Sequence, residues 1–119
     1  MSGKGVVVVL EDRDHRNLSR VLTQWGYSMI VVDDMIKALD RIDHYDLAAA
    51  IVNHDDMDAL EFVLNVRELD ETLPVIIIGS QLEQDVEQVL RERQPVYFVS
   101  TQDEDFRPKV RDTLAEAGR

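Results

Sequence analysis

The chain has 119 residues, 45% of them apolar, no cysteine and a formal net charge of −11. That length suits a single domain, residues 1–119, with a core of its own. The absence of cysteine removes disulfides, thiol nucleophiles and cysteine-based metal sites from consideration. The acidic balance argues against direct nucleic-acid binding, which needs clustered Lys and Arg, and against contact with an anionic membrane. No apolar run reaches membrane-spanning length, and the opening Met1-Ser2-Gly3-Lys4-Gly5 lacks a signal-peptide core. The expected location is the cytoplasm.

Apolar runs alternate along the chain with helical patterns. Val6–Leu10 reads as a first strand, followed by a helix whose apolar face is Leu18, Val21, Leu22 and Trp25, with Gly26 as its stop. Met29–Val32 is a second strand, and Ile36, Leu39 and Ile42 form the next helical face. Ala48–Val52 is a third strand; Ala59, Phe62, Val63 and Val66 follow on a helix started by Asp58 with Glu61. Val75–Ile78 is a fourth strand, and Leu82, Val86, Val89 and Leu90 a helical face opened by a Ser80–Glu83 capping box. Val96–Val99 is a fifth strand, and Phe106, Val110, Leu114 and Ala117 a last helix, with Pro108 tolerable in its first turn.

The first, third and fourth runs are continuously apolar, as strands buried on both faces are. Repeated strand–helix units with right-handed crossovers put helices on both faces of a parallel sheet. The expected class is α/β: a flavodoxin-like, doubly wound five-stranded parallel sheet in the order 2-1-3-4-5. Ligands in such sheets meet the carboxyl ends of the strands. Those ends carry Glu11 and Asp12, Ile51 to Asn53, Gly79 and Ser80, and Ser100 and Thr101.

The stretch Tyr45-Asp46-Leu47-Ala48-Ala49-Ala50-Ile51-Val52-Asn53-His54-Asp55-Asp56-Met57-Asp58-Ala59-Leu60-Glu61 resembles the centre of a response-regulator receiver domain. Asp46-Leu47 and Met57-Asp58-Ala59-Leu60-Glu61 match that family's flanking motifs and, aligned without a gap, put its phosphoacceptor aspartate at Ile51. Glu11-Asp12 match the family's Mg²⁺-binding acidic pair. Gly79 stands where a Thr or Ser should contact the phosphoryl group, with Ser80 one residue on as a partial substitute. Ser100 replaces the family's Lys and Thr101 its usual Pro, while Tyr97 keeps the aromatic position. The resemblance covers nearly the whole chain, yet nucleophile, hydroxyl and counter-charge fail together. It implies a degenerate receiver of the two-component type with no cofactor, no enzymatic activity and at most weak Mg²⁺ binding at Glu11 and Asp12.

Other readings of these residues lead elsewhere. Asp55 or Asp56 is a displaced phosphoacceptor only if the strand or loop shifts by several residues; a two-residue compensating shift brings Asn53, not an aspartate, to the site. The His54-Asp55-Asp56-Asp58 cluster has no second His at ligand spacing and reads as a polar loop with capping carboxylates. No Gly-x-Ser-x-Gly occurs, and Glu11-Asp12-Arg13-Asp14 after the first strand would repel a phosphate. A small-ligand sensor using the altered pocket is a further alternative. Introducing Asp at position 51 is expected to lower stability near neutral pH, with Mg²⁺ partly restoring it. The expected role is phosphorylation-independent regulation by protein contact, as the input domain of a larger regulator fused to an output domain or as a lone adaptor. Tyr97, Glu87, Arg91, Lys109 and Arg111 form the expected interaction face, which is also the candidate homodimer face.

Overall fold

In the computed structural model, residues 5–11 and 16–117 are described. They form β1 (Gly5–Leu10), α1 (Arg16–Gln24), β2 (Tyr27–Val32), α2 (Met35–His44), β3 (Ala49–Asn53), α3 (Ala59–Leu69), β4 (Val75–Gly79), α4 (Gln84–Leu90), a 3-10 turn at Arg91–Arg93, β5 (Val96–Ser100) and α5 (Phe106–Ala117). The strands make one parallel sheet ordered β2-β1-β3-β4-β5. This is the expected flavodoxin-like topology.

Alternation along the strands divides the core in two. Val8, Leu10, Ala50, Val52, Val75 and Ile77 face α2, α3 and the end of α4, where Ala38, Ile42, Phe62, Val63, Val66 and Leu90 close over them. Val7, Val9, Ala49, Ile51, Ile76 and Ile78 face α1 and α5, against Leu18, Leu22, Phe106, Val110 and Leu114. β1, β3 and β4 are inner strands, which is why their runs are apolar at every position. The edge strands β2 and β5 leave Val31 and Phe98 exposed.

The helix starts follow their caps, and two differ from expectation. Asp58 caps α3 by accepting from the Glu61 N–H at 3.1 Å, as the sequence indicates. In α2 the Asp34 carboxylate accepts from Ile36 N–H at 2.7 Å and Lys37 N–H at 3.3 Å. That cap sets a phase in which Met35, Ala38, Leu39 and Ile42 pack inward. Ile36 is therefore 78% exposed, and its expected place on the buried face does not hold. The Ser80–Glu83 capping box does not form either: α4 begins at Gln84, Glu83 makes no side-chain cap bond, and Ser80 is engaged elsewhere. Leu82 consequently precedes the helix, and Val89 faces outward. Gly26 ends α1 at φ 95°, a conformation that costs a side-chain-bearing residue about 1 kcal/mol or more.

Arg67 on α3 holds three chain segments together. Its Nε donates to Arg93 O (2.8 Å), Nη1 to Asp70 O (3.0 Å) and Leu73 O (2.9 Å), and Nη2 to Pro95 O (2.8 Å). The guanidinium thus fills with charge the gap between the end of α3, the entry to β4 and the entry to β5. Burial lowers its pKa, and Asp70 opposes that shift.

Candidate functional site at the carboxyl edge of the sheet

The carboxyl ends of β1, β3, β4 and β5 bring Glu11, Asn53, Gly79, Ser80, Ser100 and Thr101 to one edge. Glu11 follows β1, is 5% exposed and donates its N–H to Val32 O at 3.0 Å. Asp12, with Arg13 and Asp14, lies outside the described residues. Asn53 is the last residue of β3 and only 2% exposed. Ile51 is not at this edge. It is the middle residue of β3, paired with Val9 and Ile76, fully buried in the α1–α5 side of the core. Its expected place in the pocket fails because β3 runs on for two residues beyond it, so that the strand ends at Asn53.

That loop folds back across the end of β4. The Asn53 side-chain oxygen accepts from the Asp55 N–H at 3.0 Å, and the His54 N–H donates to Ile78 O at 2.8 Å. Both Asp55 carboxylate oxygens accept from the Ser80 N–H at 3.1 Å, and the Ser80 hydroxyl bonds Asp55 Oδ1 at 3.0 Å. His54 Nε2 meets Glu83 Oε2 at 2.9 Å. This bond, the largest cause, holds the Glu83 carboxyl below its usual pKa. Gly79 makes room: a Cβ there would stand 3.3 Å from Asp55 Oδ1 and 3.3 Å from His54 Cβ. The Thr101 N–H closes the edge by donating to Gly79 O at 2.9 Å, and Ser100 Oγ accepts from the Gln102 N–H at 3.2 Å. Asp56 donates its N–H to Asn53 O at 3.1 Å.

Among the described residues no group of three or more His, Asp or Glu side chains is placed to hold a metal ion. Among the described residues the edge offers the Glu11 carboxylate, the neutral Asn53 amide, whose oxygen already accepts a backbone N–H, and the Asp55 carboxylate, which is bonded to Ser80.

The expected interaction face divides. Tyr97, Glu87 and Arg91 line one groove of about 370 Å³ between α4 and β5, floored by Ile77, Leu90 and Val96 and reached by Phe98. Glu87 and Arg91 pair across its rim at 3.1 Å. Lys109 lies in a neighbouring cleft with Phe98 and bonds Asp103 at 2.7 Å. Arg111 is not on this face: its guanidinium stacks over Trp25, 5.1 Å from the ring centre, bridging α5 to the end of α1. The fifth helix turns that position toward the end of α1. The Asp55–Ser80 contact and the Arg67 network were not legible in the sequence.

The fold is that of CheY-like receiver domains. No family model matches the chain. The chain is similar to the transcriptional regulatory protein ZraR of Klebsiella oxytoca, with 25% identity over 123 aligned positions, covering 98% of this chain and 27% of that protein. It thus spans about a quarter of that relative's length. Among solved structures it resembles an orphan response regulator of H. pylori (TM-score 0.82, 16% identity, 100% of both chains). It also resembles the receiver domain of a sensor histidine kinase from Pseudomonas aeruginosa, solved with magnesium in its active-site cleft (TM-score 0.80, 16% identity, 100% of both chains). A receiver domain protein from Methanospirillum hungatei is similar over 94% of each chain, with TM-score 0.78 and 13% identity.

Proposed function

We propose that this chain is a receiver-like signalling domain that regulates by protein contact and is not switched by aspartyl phosphate. The observation that carries this reading is Asn53 at the carboxyl end of β3. An amide offers no carboxylate to phosphorylate, so Asn53 rather than Ile51 stands at the lost phosphoacceptor position. The rest of the edge agrees: Gly79 supplies no hydroxyl at the end of β4, and Ser100 no cation at the end of β5. Asp55 does not replace the nucleophile in this reading, because its carboxylate is held by Ser80.

The domain acts as the input domain of a two-component-type regulator, fused to an output domain, or as a separate adaptor in the cytoplasm. Its partner surface is the groove between α4 and β5, where Tyr97 and Phe98 supply an aromatic wall and Glu87 and Arg91 a charged rim. The net charge of −11 keeps nucleic acid away from this domain. Intact mass after incubation with acetyl phosphate and Mg²⁺ tests the reading. The unmodified mass is expected; a stable phosphoryl adduct that disappears in Asp55→Asn or Asp56→Asn would overturn it.

A further inference from the structure

We infer that the Gly79–Ser80 turn is a small-oxyanion site filled in cis by Asp55, and that this latch fixes the approach to α4. The donors are Ser80's own N–H and hydroxyl, at 3.0–3.1 Å from one carboxylate that arrives from 25 residues away. Hydrogen bonds to an ionised acceptor are about twice as strong as neutral ones. The carboxylate is aimed by its own backbone, since the Asp55 N–H is held by the buried Asn53 side chain. Gly79 leaves the space through which it reaches the turn, where a Cβ would approach Oδ1 to 3.3 Å. A second strap, His54 to Glu83 at 2.9 Å, joins the same loop to the residue just before α4.

The site therefore takes carboxylate or phosphate oxygens, and in the native chain a tethered carboxylate occupies it. Tethering gives Asp55 a high effective concentration, and the acidic chain repels free anions. Added phosphate is then without effect on the native protein. Between them the two straps position Leu82 and the start of α4, one wall of the α4–β5 groove. The consequence for partner binding at that groove rests on the reading under Proposed function; the latch and its anion site do not.

The test is amide NMR and hydrogen exchange on the full chain, wild type and Asp55→Ala, titrated with sodium formate, sodium phosphate and, at matched ionic strength, sodium chloride. In wild type none of the salts moves the Ser80 amide selectively. In Asp55→Ala the Ser80 resonance shifts and its exchange protection falls by about tenfold, the equivalent of one hydrogen bond. Formate or phosphate then returns the resonance toward its native position with a saturable dependence, and chloride does not. A Ser80 amide unchanged by Asp55→Ala, or one that responds to chloride as it does to formate, overturns the inference; so does a shifted amide that neither oxyanion restores. Should Asp55→Ala fail to fold, Asp55→Asn gives the same readout. It keeps the acceptor and loses the charge, so a smaller loss of Ser80 protection is expected, and wild-type protection is the contrary result. Failure of this test leaves the acetyl phosphate result standing, so the two readings fail separately.

Discussion

Ile51→Asp and Asn53→Asp lie two residues apart in β3 and are expected to behave in opposite ways. Ile51 is fully buried between Val9 and Ile76, facing α1 and α5. Removing its apolar burial costs about 1.5–3 kcal/mol. The new carboxyl has no partner there, so it either stays charged at a cost of several kcal/mol or is protonated near neutral pH, which costs about 4 kcal/mol for a group of ordinary pKa. The sum, about 5–7 kcal/mol, rivals the whole stability of a small domain, about 5–15 kcal/mol. Mg²⁺ has no route to that carboxylate. At Asn53 the replacement is nearly isosteric, and an aspartate still accepts the Asp55 N–H. The cost is repulsion from nearby carboxylates, Asp55 in the same loop and Glu11 at the end of the paired strand, about 1–2 kcal/mol. A divalent cation offsets part of that. Urea denaturation followed by far-UV circular dichroism, with and without Mg²⁺, measures both. The Mg²⁺ recovery first expected at position 51 thus belongs at position 53. Equal destabilisation of the two variants, or Mg²⁺ recovery in Ile51→Asp alone, would refute the placement of Asn53 at the edge.

Arg67→Lys keeps the charge but cannot reach four carbonyls at once; a loss of about 2–4 kcal/mol is expected by urea denaturation, and a loss below about 0.5 kcal/mol would show the network to be incidental. Ile36→Glu, on the solvent side of α2, should change stability by no more than about 0.5 kcal/mol, whereas a core-like loss of about 2 kcal/mol would contradict the helix phase set by Asp34. Glu83 titrates below its unfolded value of 4.5. A depressed acid stabilises the fold above its unfolded pKa and loses that contribution as pH falls through the folded one. Wild type should therefore exceed Glu83→Gln in stability near neutral pH, with the gap closing below pH 4.5; a gap that widens on acidification would contradict the His54–Glu83 strap.

The sheet was legible because burial on both faces keeps β1, β3 and β4 apolar up to Asn53 at the end of β3, and α3 because its cap and its apolar spacing agree. The site was harder to read. Counting residues from flanking motifs does not fix where a strand ends, and here β3 runs on two residues past Ile51 to Asn53. The polar Asn53 after an unbroken apolar run was the local mark of the true edge. Ser80 read as a helix cap because a capping box and a long-range partner look the same along the chain. Only folding puts Asp55 beside it. Arg67 gave no signal, since its acceptors are all backbone carbonyls, which no side-chain pattern encodes.

The most direct measurement of the central claim is amide NMR of the wild-type chain in Mg²⁺, before and after beryllofluoride, which mimics an acyl phosphate only where a carboxylate can hold it. The expected spectrum is unchanged at Asn53, Asp55, Ser80 and Tyr97. Saturable shifts centred on those residues would mean that a carboxylate at this edge accepts phosphate and that the domain is switched by phosphorylation after all.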